Sequence, residues 1–167
     1  GPVRSSATFG DLDGDGVAEI LVADTNHFVH AWSLGATPLW DAPLWTAQQF
    51  PHLPALGDLD GDGDVEIVAT AHDPGGEEGA VYAWHHDGNP VAGWPQTTGP
   101  VPGAPVLADL DADGAPEIVV AEDGEEGSRV SAFGPGGNVQ PGWPAEIAGH
   151  ARSSPAAADL DGDGQVD

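Results

Sequence analysis

Four times along the chain, three aspartates alternate with single residues and a fourth acid follows: Asp11, Asp13, Asp15 with Glu19; Asp58, Asp60, Asp62 with Glu66; Asp109, Asp111, Asp113 with Glu117; and Asp159, Asp161, Asp163 with Asp167. Carboxylates at loop positions 1, 3, 5 and 9 can converge on one ion if the backbone wraps around it. Glycine at position 6 permits the sharp turn that a Cβ resists. Position 7 adds a backbone carbonyl, from Val17, Asp64, Ala115 and Gln165 in turn. Six or seven hard oxygen donors in a flexible loop suit Ca²⁺, up to four per chain. Mg²⁺ prefers tighter octahedra with retained water, and Zn²⁺ prefers nitrogen or sulfur.

A helical calcium hand is excluded. Its loop needs glutamate at position 12 and an amphipathic helix on each side. Here a small-residue run enters (Pro54-Ala55-Leu56-Gly57) and a β-branched run leaves (Glu66-Ile67-Val68-Ala69-Thr70).

The loops recur at intervals of 47, 51 and 50 residues, and each carries its flanks with it. Further on, Val29-His30-Ala31-Trp32 matches Val81-Tyr82-Ala83-Trp84 and Val130-Ser131-Ala132-Phe133. Later still, Val91-Ala92-Gly93-Trp94-Pro95 matches Val139-Gln140-Pro141-Gly142-Trp143-Pro144, with Leu39-Trp40 as a degenerate first copy. Each period thus offers four short strands separated by Gly, Pro, Asp and Asn turns, and nothing shows a 3.6-residue period. Four strands in about 50 residues, repeated, is the pattern of β-propeller blades. The expected fold is all-β: three full four-stranded antiparallel blades (residues 4–50, 51–100 and 101–149) and the start of a fourth (150–167), a partial propeller. Trp84 and Trp94 are expected in the core between blades.

The Asp-Leu-Asp-Gly-Asp-Gly-x-x-Glu-Ile-Val core and the Gly-Trp-Pro tail resemble the FG-GAP or VCBS type of repeat, the family of the integrin α-subunit propeller, in its bacterial form. The resemblance spans residues 4–167. It implies that each loop joins the first and second strands of a blade and holds a structural Ca²⁺ on the sixteen carboxylates named above. One departure is Ala112, where the other loops have glycine.

Composition agrees with cation binding. The formal net charge is −25 and Lys plus Arg number three, which excludes a counterion-displacing surface for nucleic acid or anionic membranes. Cysteine is absent, so disulfides and thiolate chemistry are excluded. No apolar stretch approaches the roughly 18 residues that span a bilayer. Gly1-Pro2 resembles the scar of a cleaved tag, and residues 3–167 read as one propeller fragment.

No Ser/His/Asp set or phosphate loop is present, and the chain reads as a non-enzyme. Three-and-a-fraction blades leave open strand edges, so a homo-oligomer, two copies completing one ring, is expected. The function read from these features is a non-enzymatic interaction or scaffold module of a larger secreted or surface protein. Calcium outside cells is plentiful enough to fill such loops. The alternatives are a lectin, with Trp40 or Trp45 stacking on sugar, and the propeller part of a polysaccharide lyase. The lyase reading is weakened by the absence of Lys and the presence of one Tyr. His85-His86 reads as an exposed turn. Gly76-Glu77-Glu78-Gly79 and Gly124-Glu125-Glu126-Gly127 read as acidic turns on the face opposite the calcium loops.

Overall fold

The computed structural model describes residues 2–3, 5–49, 52–125 and 127–166. Among the described residues twelve strands form three four-stranded antiparallel sheets, each a simple meander. Sheet 1 comprises β1 (Thr8–Gly10), β2 (Glu19–Ala23), β3 (Phe28–Trp32) and β4 (Leu44–Trp45). Sheet 2 comprises β5 (Ala55–Gly57), β6 (Glu66–His72), β7 (Gly79–Trp84) and β8 (Gln96–Thr98). Sheet 3 comprises β9 (Val106–Ala108), β10 (Glu117–Gly124), β11 (Gly127–Phe133) and β12 (Ala145–Ile147). Among the described residues there is no helix, and so none long and apolar enough to cross a membrane.

The registers repeat. Gly10 pairs with Glu19, Gly57 with Glu66 and Ala108 with Glu117, which places each aspartate loop between the first and second strands of its sheet. Strand alternation then sends successive residues to opposite faces. Leu12, Leu21, Ala23, Val29, Ala31 and Leu44 of sheet 1 meet Ile67, Ala69, Ala71 and Trp84 of sheet 2. The other face of sheet 2 (Leu59, Val68, Val81, Ala83, Trp94) meets Ile118, Val120 and Phe133 of sheet 3. Sheet 2 is covered on both faces, and Glu66 through Ala71 are all buried. First strands of neighbouring sheets approach closely. A Cβ on Gly10 would lie 2.5 Å from Leu56 Cδ1, and one on Gly57 would lie 2.8 Å from Leu107 Cδ1. Glycine at the end of β1 and β5 is what permits that approach.

Two expectations about strands are corrected. In sheets 2 and 3 the fourth strand begins after the Gly-Trp-Pro segment and not within it, and in sheet 1 it begins at Leu44, after Leu39-Trp40. Gly93 is left-handed at φ 93°, and the Trp94 N–H closes a turn on the Val91 carbonyl, so the segment bends and plants its indole between sheets. The start of a fourth blade, expected over 150–167, likewise forms no strand among the described residues. β1, β5 and β9 each pair with the second strand of their own sheet, and among the described residues the fourth repeat has none.

Candidate metal centres

The four loops share one hydrogen-bond plan. The Oδ2 of position 1 accepts the N–H of position 6: Gly16 to Asp11 at 2.9 Å, Gly63 to Asp58 at 3.1 Å, Gly114 to Asp109 at 3.0 Å and Gly164 to Asp159 at 2.9 Å. Position 3 accepts from position 5, with Asp13, Asp60, Asp111 and Asp161 at 3.1–3.3 Å from the N–H groups of Asp15, Asp62, Asp113 and Asp163. Position 5 accepts from position 7, so that the N–H groups of Val17, Asp64, Ala115 and Gln165 reach Asp15, Asp62, Asp113 and Asp163 at 2.7–2.9 Å. The aspartates thus fold each loop through turns that their short side chains favour, and at position 1 both oxygens of Asp58, Asp109 and Asp159 accept loop N–H groups.

Positions 4 and 6 are left-handed throughout: Gly14 and Gly16, Gly61 and Gly63, Ala112 and Gly114, Gly162 and Gly164. Ala112 adopts φ 60°, the conformation glycine supplies without strain in the other loops.

The acidic side chains of each loop also gather. Donor atoms of Asp11, Asp13 and Asp15 lie within 4.8 Å of one another, as do those of Asp58, Asp60 and Asp62, of Asp159, Asp161 and Asp163, and of Asp109, Asp111 and Glu117. Asp11 Oδ1 is buried and has no hydrogen-bond partner among the described residues. An acceptor-only oxygen, buried and facing other carboxylates, is satisfied by a cation and not by another protein acceptor. The loop carboxylates form an all-oxygen donor set that fits Ca²⁺, and at the second loop His85 also lies beside Asp60 and Glu66. Asp167, the expected ninth position of the fourth loop, lies outside the described residues.

The position-9 glutamates play a part that loop spacing alone does not assign. Glu19, Glu66 and Glu117 are buried at 4%, 0% and 1% exposure. Each uses Oε2 to accept the N–H of the loop's second residue, Leu12, Leu59 or Leu110, at 2.8–2.9 Å. The glutamate clamps the loop to its exit strand. In sheets 2 and 3 the second oxygen is also held, by His85 Nδ1 at 3.0 Å and by Gln140 Nε2 at 2.8 Å. Burial raises the pKa of Glu66 and Glu117 above the usual range, nearby Asp60 or Asp111 adds to it, and the hydrogen bonds oppose it. The only sequence signal for this clamp is the fixed distance of seven between acid and leucine. It is invisible without the register.

His85 and His86 are half-buried and face the second loop, where an exposed turn was expected. His85 reaches Glu66, and His86 Nδ1 lies 3.4 Å from Asp64 Oδ2. Trp40 and Trp94 anchor the turns of the following sheets: their indole N–H groups donate to the carbonyls of His86 at 3.0 Å and Pro135 at 2.7 Å. The acidic turns lie at the far end of the second strands. There a cleft of about 560 Å³ is lined by Glu77, Glu122, Glu125, Arg129 and Glu146. Burial disfavours ionisation of Glu122, but Arg129, Ser131 and the Gly99 N–H outweigh it and hold its pKa below the usual range. Glu126 lies outside the described residues.

The sequence profile of the FG-GAP-like repeat matches the chain three times, over residues 11–69, 58–120 and 109–167. The chain belongs to the FG-GAP-like repeat family. No curated protein matches it. Among solved structures it is similar to the crystal structure of the V. cholerae biofilm matrix protein Bap1, with 22% identity and a TM-score of 0.52. The match covers 98% of this chain and 34% of that one, so the FG-GAP-like chain spans about a third of the Bap1 chain's length. At that identity the likeness is one of fold.

Proposed function

We propose that this chain is a calcium-organised arc of a β-propeller and acts as a non-enzymatic interaction or scaffold module of a larger extracellular protein. The observation that carries the reading is the loop plan: four copies of one hydrogen-bonded turn, each with oxygen donors of three acidic residues within 4.8 Å of one another. Three carboxylates held that close repel one another strongly. Bound Ca²⁺ offsets that repulsion, so its binding free energy becomes folding free energy. Millimolar extracellular calcium is the environment that fills loops of this kind. The similarity to a biofilm matrix protein is compatible with such a location.

The stacking of the sheets supports the arc reading. The face of sheet 2 that meets sheet 1 carries Leu56, Ile67, Ala69 and Trp84; the corresponding face of sheet 1 carries Phe9, Ile20, Val22 and Trp32. Phe9 is 62% exposed and Trp45, beside Phe28, is 62% exposed. A further sheet of the same kind suits this face, supplied by a neighbouring repeat or by a second copy closing a ring. The same aromatic face favours one second reading, carbohydrate binding: His30 stacks on Trp32 at 5.5 Å beside Trp40 and Asp41. A glycan array that returns a specific sugar would favour it.

The test of the main reading is solution mass and thermal midpoint, with Ca²⁺ and then with chelator. At a free concentration 100 times its Kd, one site contributes about 2.7 kcal/mol. Chelation is therefore expected to lower the midpoint by well over 10 °C or to unfold the chain. An unchanged midpoint refutes the proposal.

A further inference from the structure

The turns that follow the third strands are the same in all three sheets. Ser33, His85 and Gly134 each donate their N–H to the residue four further on, Thr37, Asn89 and Asn138, and each accepts from the residue three further on. The three turns can therefore be compared position by position. Where sheet 1 has Ser33-Leu34 and sheet 3 has Gly134-Pro135, sheet 2 has His85-His86. Of the three, only the turn of sheet 2 presents imidazoles to its loop.

The geometry follows from the anchoring already described. Trp40 of sheet 1 holds the His86 carbonyl at 3.0 Å, and Leu44 and Trp40 back Gly88 of the same turn. Held there, His85 Nδ1 comes within 3.0 Å of Glu66 Oε1, and donor atoms of Asp60, Glu66 and His85 all lie within 4.8 Å of one another. Glu66 is fully buried. His86 Nδ1, one residue on, lies 3.4 Å from Asp64 Oδ2. Two carboxylates and an imidazole nitrogen form a mixed donor set, which suits a borderline transition cation better than Ca²⁺.

We propose that the second loop, unlike the other three, takes a zinc-class divalent cation, held by Asp60, Glu66 and His85. The inference rests on reading the loops as cation sites. It separates from that reading because Zn²⁺ is tested in the presence of Ca²⁺. The simpler role for His85, a hydrogen bond that orients Glu66, is what Gln140 does for Glu117 in sheet 3. The substitution His85→Gln keeps that hydrogen bond and removes the nitrogen ligand.

The experiment is calorimetric titration of the full chain with Zn²⁺ in millimolar Ca²⁺, with zinc X-ray absorption on the one-to-one complex. The expected result is one Zn²⁺ per chain with an imidazole in its coordination shell. His85→Gln should weaken it by at least about 10-fold while leaving the thermal midpoint in Ca²⁺ unchanged. Equal Zn²⁺ affinity in the two proteins, or an all-oxygen shell in the wild type, overturns the proposal. Neither result touches the chelation test, where failure would remove the loops as cation sites altogether.

Discussion

The second and fourth loops begin with the same six residues, Asp-Leu-Asp-Gly-Asp-Gly, at Asp58 and at Asp159. Their turns match: position 1 takes the position-6 N–H at 3.1 and 2.9 Å, and position 5 takes the position-7 N–H at 2.9 and 2.8 Å. Their leucines do not match. Leu59 is fully buried between sheets 2 and 3, whereas Leu160 is 81% exposed. Loop shape is thus a local property, fixed within nine residues by aspartate side chains and left-handed glycines. Burial is a property of stacking, and the same leucine becomes core only when a sheet lies against it. Leu12 is buried and Leu110 half-buried, so the series follows how completely each repeat is covered.

The sharpest way to break this comparison is to truncate both leucines. Leu59→Ala removes a fully buried side chain from a packed interface and is expected to cost about 2–5 kcal/mol. Leu160→Ala is expected to change stability by no more than about 0.5 kcal/mol. Denaturant unfolding in saturating Ca²⁺ gives both values. Equal costs would mean that leucine at position 2 serves the loop itself and not the stack.

Tryptophan gives a smaller contrast of the same kind. Trp94 is buried against Phe133 and donates to the Pro135 carbonyl of the next sheet; its counterpart Trp143 is half-buried. Trp94→Phe removes that bond and leaves an acceptor short, at a cost of about 1–3 kcal/mol. Trp143→Phe should cost less than about 0.5 kcal/mol. Thermal midpoints measured side by side decide it.

Much of this was legible in the sequence because the repeat displays its own register. The in-phase Asp-Leu-Asp triplets located every loop, and the Glu-Ile-Val and Val-x-Ala-Trp runs located β2, β3, β6, β7, β10 and β11. The interfacial place of Trp84 followed from strand alternation, and that of Trp94 from the rule that large aromatics fill the space between stacked sheets. What the sequence hid depends on contacts between distant segments. The glutamate clamp needs the pairing of β5 with β6 to bring Glu66 under Leu59. The fourth strands are two or three residues long and carry no alternation of their own, so the Gly-Trp-Pro segment drew the assignment instead. His85 and His86 read as an ordinary turn because the groups that turn them inward, Trp40 and Glu66, lie 46 and 19 residues away.

Ala112 sharpens the local half of the comparison. It holds φ 60° where Gly14, Gly61 and Gly162 stand in the other loops. A left-handed alanine costs roughly 1–2 kcal/mol, while glycine adds about 0.5–1 kcal/mol of unfolded-state entropy. Relief of the strain outweighs the added entropy, so Ala112→Gly is expected to stabilise the chain by about 0.5–1 kcal/mol in saturating Ca²⁺. A destabilised variant would mean the third loop is not held by the same local rule.

The smallest effect concerns pH and the stacking half. His52 and His72 lie with ring centroids 6.0 Å apart, each with a buried ring nitrogen lacking a hydrogen-bond partner among the described residues. Burial lowers both pKa values below the ordinary 6.5; the charge of His72 adds to this for His52, and Asp73 opposes it for His72. Below pH 6.5 the unfolded chain therefore takes up protons that the folded chain refuses. Their contribution is fully present above that pH and is lost as pH falls through it. Glu66 and Glu117, pushed upward by burial, act in the opposite sense, since the folded chain holds their protons to higher pH. Comparing the wild type with His72→Gln cancels the glutamates and isolates the pair. Between pH 7 and 5.5 the wild-type midpoint is expected to fall more steeply than that of the variant. Parallel profiles would show that their partial burial leaves this pair free to take up protons.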